Sequence, residues 1–318
     1  MTTASDTADA ITMSIIVVSY NTKEMTLACL RSVVKETTRH PWELLFIDNC
    51  STDGSLEAVE EEFGDDPRFR IRKSTENLGF AGGNNELARE ARGRYLLLLN
   101  PDTVVLDGAL DKLVDFAESH PEHRIWGGRT IFEDGTLNPW SCWGPYTLWS
   151  IFSASIGLRA IFPRSAVFDP RSYGGWQRDT VREVAIVTGC LFLIDRSAWE
   201  QLGGFDSEFF MYGEETDLCM RATREFGARP IITPDATIIH HGGASEKIFE
   251  DKVIRLLDAE VRLFRRNFST LKFMIAYRMT LFGVWFRATG YAMLNTIRGR
   301  KEQAVWRGIW KRRAEWAN

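Results

Sequence analysis

Cysteine is scarce in this sequence and follows no pattern. Five cysteines (Cys29, Cys50, Cys142, Cys190 and Cys219) are scattered over 318 residues, without a CxxC pair or a Cys/His cluster. An odd, dispersed set argues against a disulfide framework or a structural zinc site, and for a reducing compartment. The start of the chain, MTTASDTADAIT, has no basic segment followed by an apolar one. It therefore reads as a disordered lead-in over residues 1–12 rather than a signal peptide. No long apolar run is free of charge: the segment 273–294 contains Arg278 and Arg287, which makes it too polar for a transmembrane helix. GxGxxG, internal repeats and low-complexity tracts are absent, as is any evident Ser/His/Asp or Cys/His arrangement for nucleophilic catalysis.

What remains is the composition of a globular protein, 44% hydrophobic and 26% charged. The length is enough for one large domain or two. The net charge of −4 conceals an asymmetry. Residues 251–318 carry fifteen Lys and Arg against five Asp and Glu, whereas residues 1–250 carry twenty-four against thirty-eight. An acidic body is joined to a basic, tryptophan-rich tail.

The body alternates apolar runs with helical patterns, which predicts an α/β fold. Strands are expected at 14–19, 43–48, 69–73 and 95–99, and helices at about 24–37, 53–63, 82–92 and 107–120. The apolar runs are short and continuous, as in a mostly parallel sheet covered on both faces. Residues 121–183 read as long loops, 184–194 as a strand, 195–202 as a helix, and 228–245 as two strands with a Gly-rich turn. Sheets of this kind bind ligands beyond the carboxyl ends of their strands. Here those ends are polar: SYN (19–21), IDNCSTDGS (47–55) and LLNPDT (98–103).

Each end offers candidate chemistry. Asp102, after a buried strand and Asn100-Pro101, is either a turn former or a hard ligand for Mg²⁺ or Mn²⁺ against a diphosphate. Asp48 can accept hydrogen bonds from a base or ribose, while Asp53 suits a helix cap. NLGFAGGNN (77–85) has three glycines that permit close backbone approach to a phosphate. His240 and His241 end a strand and are structural by default, yet become credible ligands beside an aspartate-held cation. Glu214, Glu215 and Asp217 crowd three acids into four positions at the start of a helix expected from Thr216 to Phe226. The helix dipole accounts for one of them. Three leave room for a general base.

Taken together, SIIVVSYN, FIDNCSTDGS, ENLGFAGGNN, LLLLNPDT, GGFDSEFFMYGEETDLCMR and HHGGAS occur in an order that resembles the family 2 glycosyltransferases, and their bacterial rhamnosyltransferase-like branch in particular. The resemblance covers residues 13–245 and implies a GT-A, Rossmann-like catalytic domain over 13–250, followed by a helical extension over 251–318. Its nucleotide-binding half would be about 13–105 and its acceptor-side half about 106–250. It implies inverting transfer of a sugar from a nucleotide diphosphate to a hydroxyl. The donor would lie against Ser19, Tyr20, Asn21 and Asp48, against Asn77, Phe80, Gly82, Asn84 and Asn85 of the glycine-rich loop, and against Asn100 and Asp102. Asp102 and His240 would hold Mg²⁺ or Mn²⁺. The family's Glu-Asp-x-Asp element falls on Glu214, Glu215, Thr216 and Asp217, so the base falls on Glu215, with Asp217 in reserve. Glu215 departs from the family's aspartate, and Glu86 stands where many relatives have a small residue.

Analogy further suggests dTDP-rhamnose as donor, with a UDP-sugar as the alternative, and a lipid-linked or cell-surface glycan as acceptor. A non-catalytic glycan-binding member and a nucleotidyltransferase are competing readings; the latter lacks a basic Gly-rich loop at its start. The tail mixes basic residues with Trp and Phe, which suits either a packed helical subdomain or attachment to an anionic membrane surface. Nucleic acid is disfavoured because no binding motif accompanies the charge. The expected location is cytoplasmic, peripheral on the inner face of the cell membrane, and an oligomer is compatible with the pattern.

Overall fold

The computed structural model describes residues 11–242, 249–290 and 297–317. Its first elements are β1 (Met13–Ser19), α1 (Lys23–Glu36), β2 (Trp42–Asp48), α2 (Ser55–Phe63), β3 (Phe69–Lys73), α3 (Gly79–Ala88), β4 (Tyr95–Leu99), β5 (Thr103–Val105) and α4 (Ala109–Ser119). There follow β6 (Ile125–Ile131), β7 (Leu137–Asn138), β8 (Cys142–Trp143), α5 (Leu148–Ser155), α6 (Leu158–Ile161), β9 (Arg182–Glu183), β10 (Ile186–Val187) and β11 (Leu191–Asp195). The chain continues with α7 (Arg196–Leu202), α8 (Glu214–Phe226), β12 (Ile231–His240), α9 (Phe249–Asn267), α10 (Thr270–Gly290) and α11 (Ile297–Lys311). The chain forms two compact units, Met1–Cys142 with Gln177–Ser245, and Trp143–Trp176 with Glu246–Asn318.

The first unit is built on a sheet of order β3-β2-β1-β4-β11-β6-β12-β5. β1, β2 and β4 are buried along their whole length, because helices cover both faces. Ile15 and Val17 point to one face, into a core with Leu27, Leu30 and Val33 of α1 and Leu110 and Leu113 of α4. Val18 points the other way and touches α3, where a Cβ on Gly83 would come within 2.8 Å of it. The strands from β3 to β4 are parallel, with Ser19 beside Asp48. β11 then runs antiparallel between β4 and β6, with Leu191 beside Leu99. β12 is parallel to β6, and its last residue, His240, lies beside Thr103 of the antiparallel β5.

Several expectations need correction. The helix expected at 82–92 is α3 and begins at Gly79, so the glycines lie inside its first turns. Residues 184–194 are not one strand: Thr188–Cys190 interrupt β10 and β11. Residues 228–245 hold one strand, β12, rather than two, with a register shift between Thr233 and Thr237, and residues 243–245 of the expected Gly-rich turn lie outside the described residues. The supposed loops at 121–183 contain β6, a central strand. Its sequence, IWGGRTI, carries two glycines that ordinarily weaken a strand. Close packing requires them here, since a Cβ would come within 2.5 Å of the Val187 side chain at Gly127 and 2.1 Å of the Ala236 carbonyl at Gly128. Residues 1–10 of the expected lead-in lie outside the described residues. Thr12 is tied down, its N–H donating to Pro41 O at 2.8 Å and its carbonyl accepting from Tyr95 N at 3.0 Å.

In the second unit, α9, α10 and α11 share a core of Ile254, Leu257, Val284, Ile309 and Trp316. Ile151, Phe264 and Ala276 form a second cluster with Tyr146. The Tyr146 hydroxyl donates to Glu260 at 3.0 Å, and the Arg171 guanidinium lies 3.7 Å from its ring centroid.

Candidate active site

The parallel register brings the polar strand ends to one edge of the sheet. Ser19 is fully buried, with its hydroxyl 2.9 Å from that of Thr26 on α1, so its side chain is engaged by the fold. Tyr20 is exposed beside it. Asn21 adopts left-handed backbone, φ 51°, and ties the first two strand ends together. Its N–H donates to Ser51 Oγ at 2.9 Å and its Oδ1 accepts from Thr52 N at 2.8 Å. Asp48 is buried; Oδ2 accepts from Ser51 N at 2.9 Å, whereas Oδ1 has no partner. A buried acceptor left open at a strand end is costly unless a ligand donates to it.

Asn49, which the motif reading passed over, organises the next layer. Its Nδ2 donates to Asn77 Oδ1 at 3.0 Å and to Gly79 O at 3.1 Å, and its Oδ1 accepts from Leu78 N at 2.9 Å. The signal was an amide directly after a strand-end aspartate. Gly79 has φ +70° and a Cβ there would lie 2.2 Å from the Phe210 carbonyl, which accepts from Phe80 N at 3.0 Å. Glycine is required on both counts. This bond joins the start of α3 to the chain leading into α8. The Phe80 ring packs on Gly189, in the gap between β10 and β11. Gly82 is half-buried, and Asn84 is buried with Nδ2 donating to Phe80 O at 2.8 Å and Oδ1 unpartnered. Asn85 spends its amide on the backbone of Phe205, donating at 2.8 Å and accepting at 2.9 Å. It therefore fixes the chain before α8.

At the end of β4, the Asn100 carbonyl accepts from Thr103 Oγ1 at 2.7 Å, shaping the turn that presents Asp102. Asp102 Oδ1 lies 3.5 Å from His240 Nε2, and both residues are buried. Their backbones are also joined, His241 N donating to Asp102 O at 3.0 Å. His240 Nδ1 has no partner of ordinary hydrogen-bond geometry. Burial disfavours the imidazolium, but the neighbouring Cys190 thiol and Asp102 outweigh it and push His240 up to about 10. Burial would raise Asp102, yet His240 holds it below the usual carboxylate range. A cation would have to displace the imidazolium proton; the Asp102 carboxylate and the neutral His240 imidazole would then be a suitable partial ligand set for Mg²⁺ or Mn²⁺. Among the described residues no group of three or more His, Cys, Asp and Glu side chains surrounds a common point. Substrate oxygens and water would have to complete the coordination.

The three acids at the start of α8 prove unequal. Tyr212 and Gly213 both have left-handed backbone, at φ 71° and 91°, which turns the chain sharply into the helix. Asp217 is buried and accepts from Arg221 Nε at 2.6 Å, while the other guanidinium nitrogens of Arg221 donate to Leu202 O at 2.7 Å and Gly204 O at 2.8 Å. This charge clamps the helix to the turn after α7. Glu214 is buried, with Oε2 unpartnered. Burial first, and then the adjacent Glu215, raise its carboxyl well above the usual range. Glu215 is half-buried as a residue, with its Oε2 atom buried. Two adjacent acids, one of them pushed toward its neutral form, are a candidate arrangement for moving a proton.

A family model described as Glycosyl transferase family 2 matches residues 14–203. Over 218 residues the chain is 29% identical to the N-acetylglucosaminyl-diphospho-decaprenol L-rhamnosyltransferase of Mycobacterium tuberculosis (strain ATCC 25618 / H37Rv), covering 64% of this chain and 68% of that protein. It is 28% identical over 240 residues to the O-antigen biosynthesis protein RfbC of Myxococcus xanthus, covering 73% of this chain and 17% of that much longer protein. Among solved structures, the mannosyltransferase PcManGT from Pyrobaculum calidifontis, in complex with GDP-Man and Mn²⁺, superposes with a TM-score of 0.56 at 17% identity, covering 96% of this chain and 84% of the other. S. aureus TarS 1-349 in complex with UDP-GlcNAc gives 0.55 at 15% identity, covering 94% and 80%. At those identities the likeness is one of fold, and that fold is GT-A. The family match spans the strand ends that carry Asp48 and Asp102, and the chain belongs to glycosyltransferase family 2.

Proposed function

We propose that this transferase is inverting and metal-dependent, moving a sugar from a nucleotide diphosphate to a hydroxyl of a lipid-linked or cell-surface glycan. The first candidate donor is dTDP-rhamnose, on the strength of the rhamnosyltransferase relative. The observation that carries this reading is the inequality of the α8 acids: Asp217 is paired with Arg221, Glu214 is driven toward its neutral form, and half-buried Glu215 is the acid we take as the base. Direct displacement needs one such base and no enzymic nucleophile.

Asp102 and His240 fit a divalent cation, which would neutralise charge on the departing diphosphate. The open Asp48 Oδ1 is suited to a hydrogen bond from the base or ribose. Asn49 holds the Asn77–Gly79 turn against this edge, so backbone amides at the start of α3 can approach phosphate. Glu215 accepts the proton of the attacking hydroxyl while neutral Glu214 limits repulsion at the site. The location proposed is the cytoplasmic face of the cell membrane; among the described residues no helix is long and apolar enough to cross one.

The test is a screen of dTDP-, UDP- and GDP-sugars with Mn²⁺, read as donor hydrolysis or transfer. Activity with at least one donor, abolished by Asp102→Ala, is expected. Activity that survives Asp102→Ala and excess EDTA would contradict metal dependence.

A further inference from the structure

Helix α10 is apolar on both sides, but only one side is used within its unit. Ala276, Thr280, Gly283 and Val284 are buried. A Cβ on Gly283 would lie 2.9 Å from Ser155 Cα, and the Arg287 guanidinium donates to the Ala154 carbonyl, so this side packs on α5. The opposite side is a stripe at helical spacing. Leu271 is 66% exposed, and Phe282, Trp285 and Phe286 are each 44% exposed. The three aromatic rings pack on one another in the open, with centroids 5.7 and 5.9 Å apart. A soluble helix normally turns polar residues outward, so an aromatic outward stripe marks a surface that something covers.

A second exposed segment in the same unit has the same character. After α5, residues 159–167 read RAIFPRSAV, with Ile161, Phe162 and Val167 exposed. Two arginines, Arg159 and Arg164, stand exposed among them. Charge decides between possible occupants. From residue 261 to 301 there is no Asp or Glu, against nine Lys and Arg. Residues 135–168 also contain no acid. Elsewhere the chain is acidic, so two long acid-free stretches that carry both apolar surfaces are a marked segregation. A second copy meeting the stripe symmetrically would bring the same cations against it. Anionic lipid satisfies both features, taking the rings at the acyl boundary and the cations at the headgroups.

We propose that the outward stripe of α10 and the segment 159–167 form the surface on which this enzyme sits on an anionic bilayer. The inference rests on the membrane-facing acceptor proposed above and specifies the residues and the lipid chemistry. Phe282, Trp285 and Phe286 enter the interface, and Arg159, Arg164 and Arg278 select anionic headgroups.

The probe is flotation of the purified full chain with phosphatidylcholine vesicles, with and without about 30 mol% phosphatidylglycerol. Neither donor nor acceptor is added, so the face is tested apart from catalysis. Wild type is expected to float only with the anionic vesicles, with a blue shift in tryptophan emission and loss of binding near 1 M salt. Trp285→Ser with Phe286→Ser, and separately Arg159→Glu with Arg164→Glu, should each lower partitioning about tenfold. Both variants should keep the wild-type melting temperature. Failure of wild type to bind, equal binding to neutral vesicles, or unchanged binding by both variants would overturn the proposal. So would a wild-type dimer in light scattering that the aromatic variant converts to monomer. Equal transfer to a water-soluble and a polyprenyl-linked acceptor would sink the acceptor reading while leaving the vesicle result standing.

Discussion

Asp217 and Glu215 are two residues apart, yet their environments differ. Asp217 was the reserve base on sequence grounds, and the structure commits its carboxylate to Arg221. Asp217→Asn is therefore expected to act mainly on stability, costing about 3–5 kcal/mol by leaving a buried guanidinium unpaired. Thermal melts should fall clearly, while the turnover of the protein that remains folded changes little. Glu214 allows a pH test whose sign is fixed. Its folded-state carboxyl is raised from an ordinary value of 4.5, so its contribution to stability is complete below that pH and is lost as pH rises through the folded value. Glu214→Gln keeps the neutral form at all pH. It should raise the melting temperature relative to wild type at pH 8, with the difference vanishing near pH 4. A constant difference across that range would contradict the assignment.

At the scale of elements, the first four strands and the helices between them were legible because continuous apolar runs ending in polar turns leave little choice. β6 was not, because Gly127 and Gly128 look like loop residues until Val187 and Ala236 are seen against them. The break at Thr188–Cys190 was hidden for a related reason. VAIVTGCLFLI is almost wholly apolar, yet at the break Thr188 donates its N–H to Ser141 O and its hydroxyl to Trp140 O, and Phe80 packs on Gly189. The motif residues were legible as candidates, but the partners of their side chains were not. Asn85 stood beside Asn84 as a donor contact, whereas its amide is occupied at both ends by Phe205. Asn85→Ala should destabilise the turn before α8 by about 1–3 kcal/mol. It should weaken turnover through the position of Glu215, with donor affinity changed less than by Asp48→Ala. Isothermal titration of the donor beside steady-state rates would separate the two effects.

For the whole molecule, the sequence joins an acidic body to a basic tail, and the proposed transfer from an anionic donor to a surface-bound acceptor would draw on both. The basic second unit carries the outward aromatic stripe. The central claim, that Glu215 is the base of a metal-assisted transfer, has a direct test. Donor affinity and turnover should be measured for wild type and Glu215→Gln, with Mn²⁺ and the best donor from the screen. The account predicts that turnover falls by about three orders of magnitude or more while donor affinity stays within about threefold, as expected for loss of a base acting only in the transition state. Turnover retained in Glu215→Gln and abolished in a folded Asp217→Asn enzyme would contradict it.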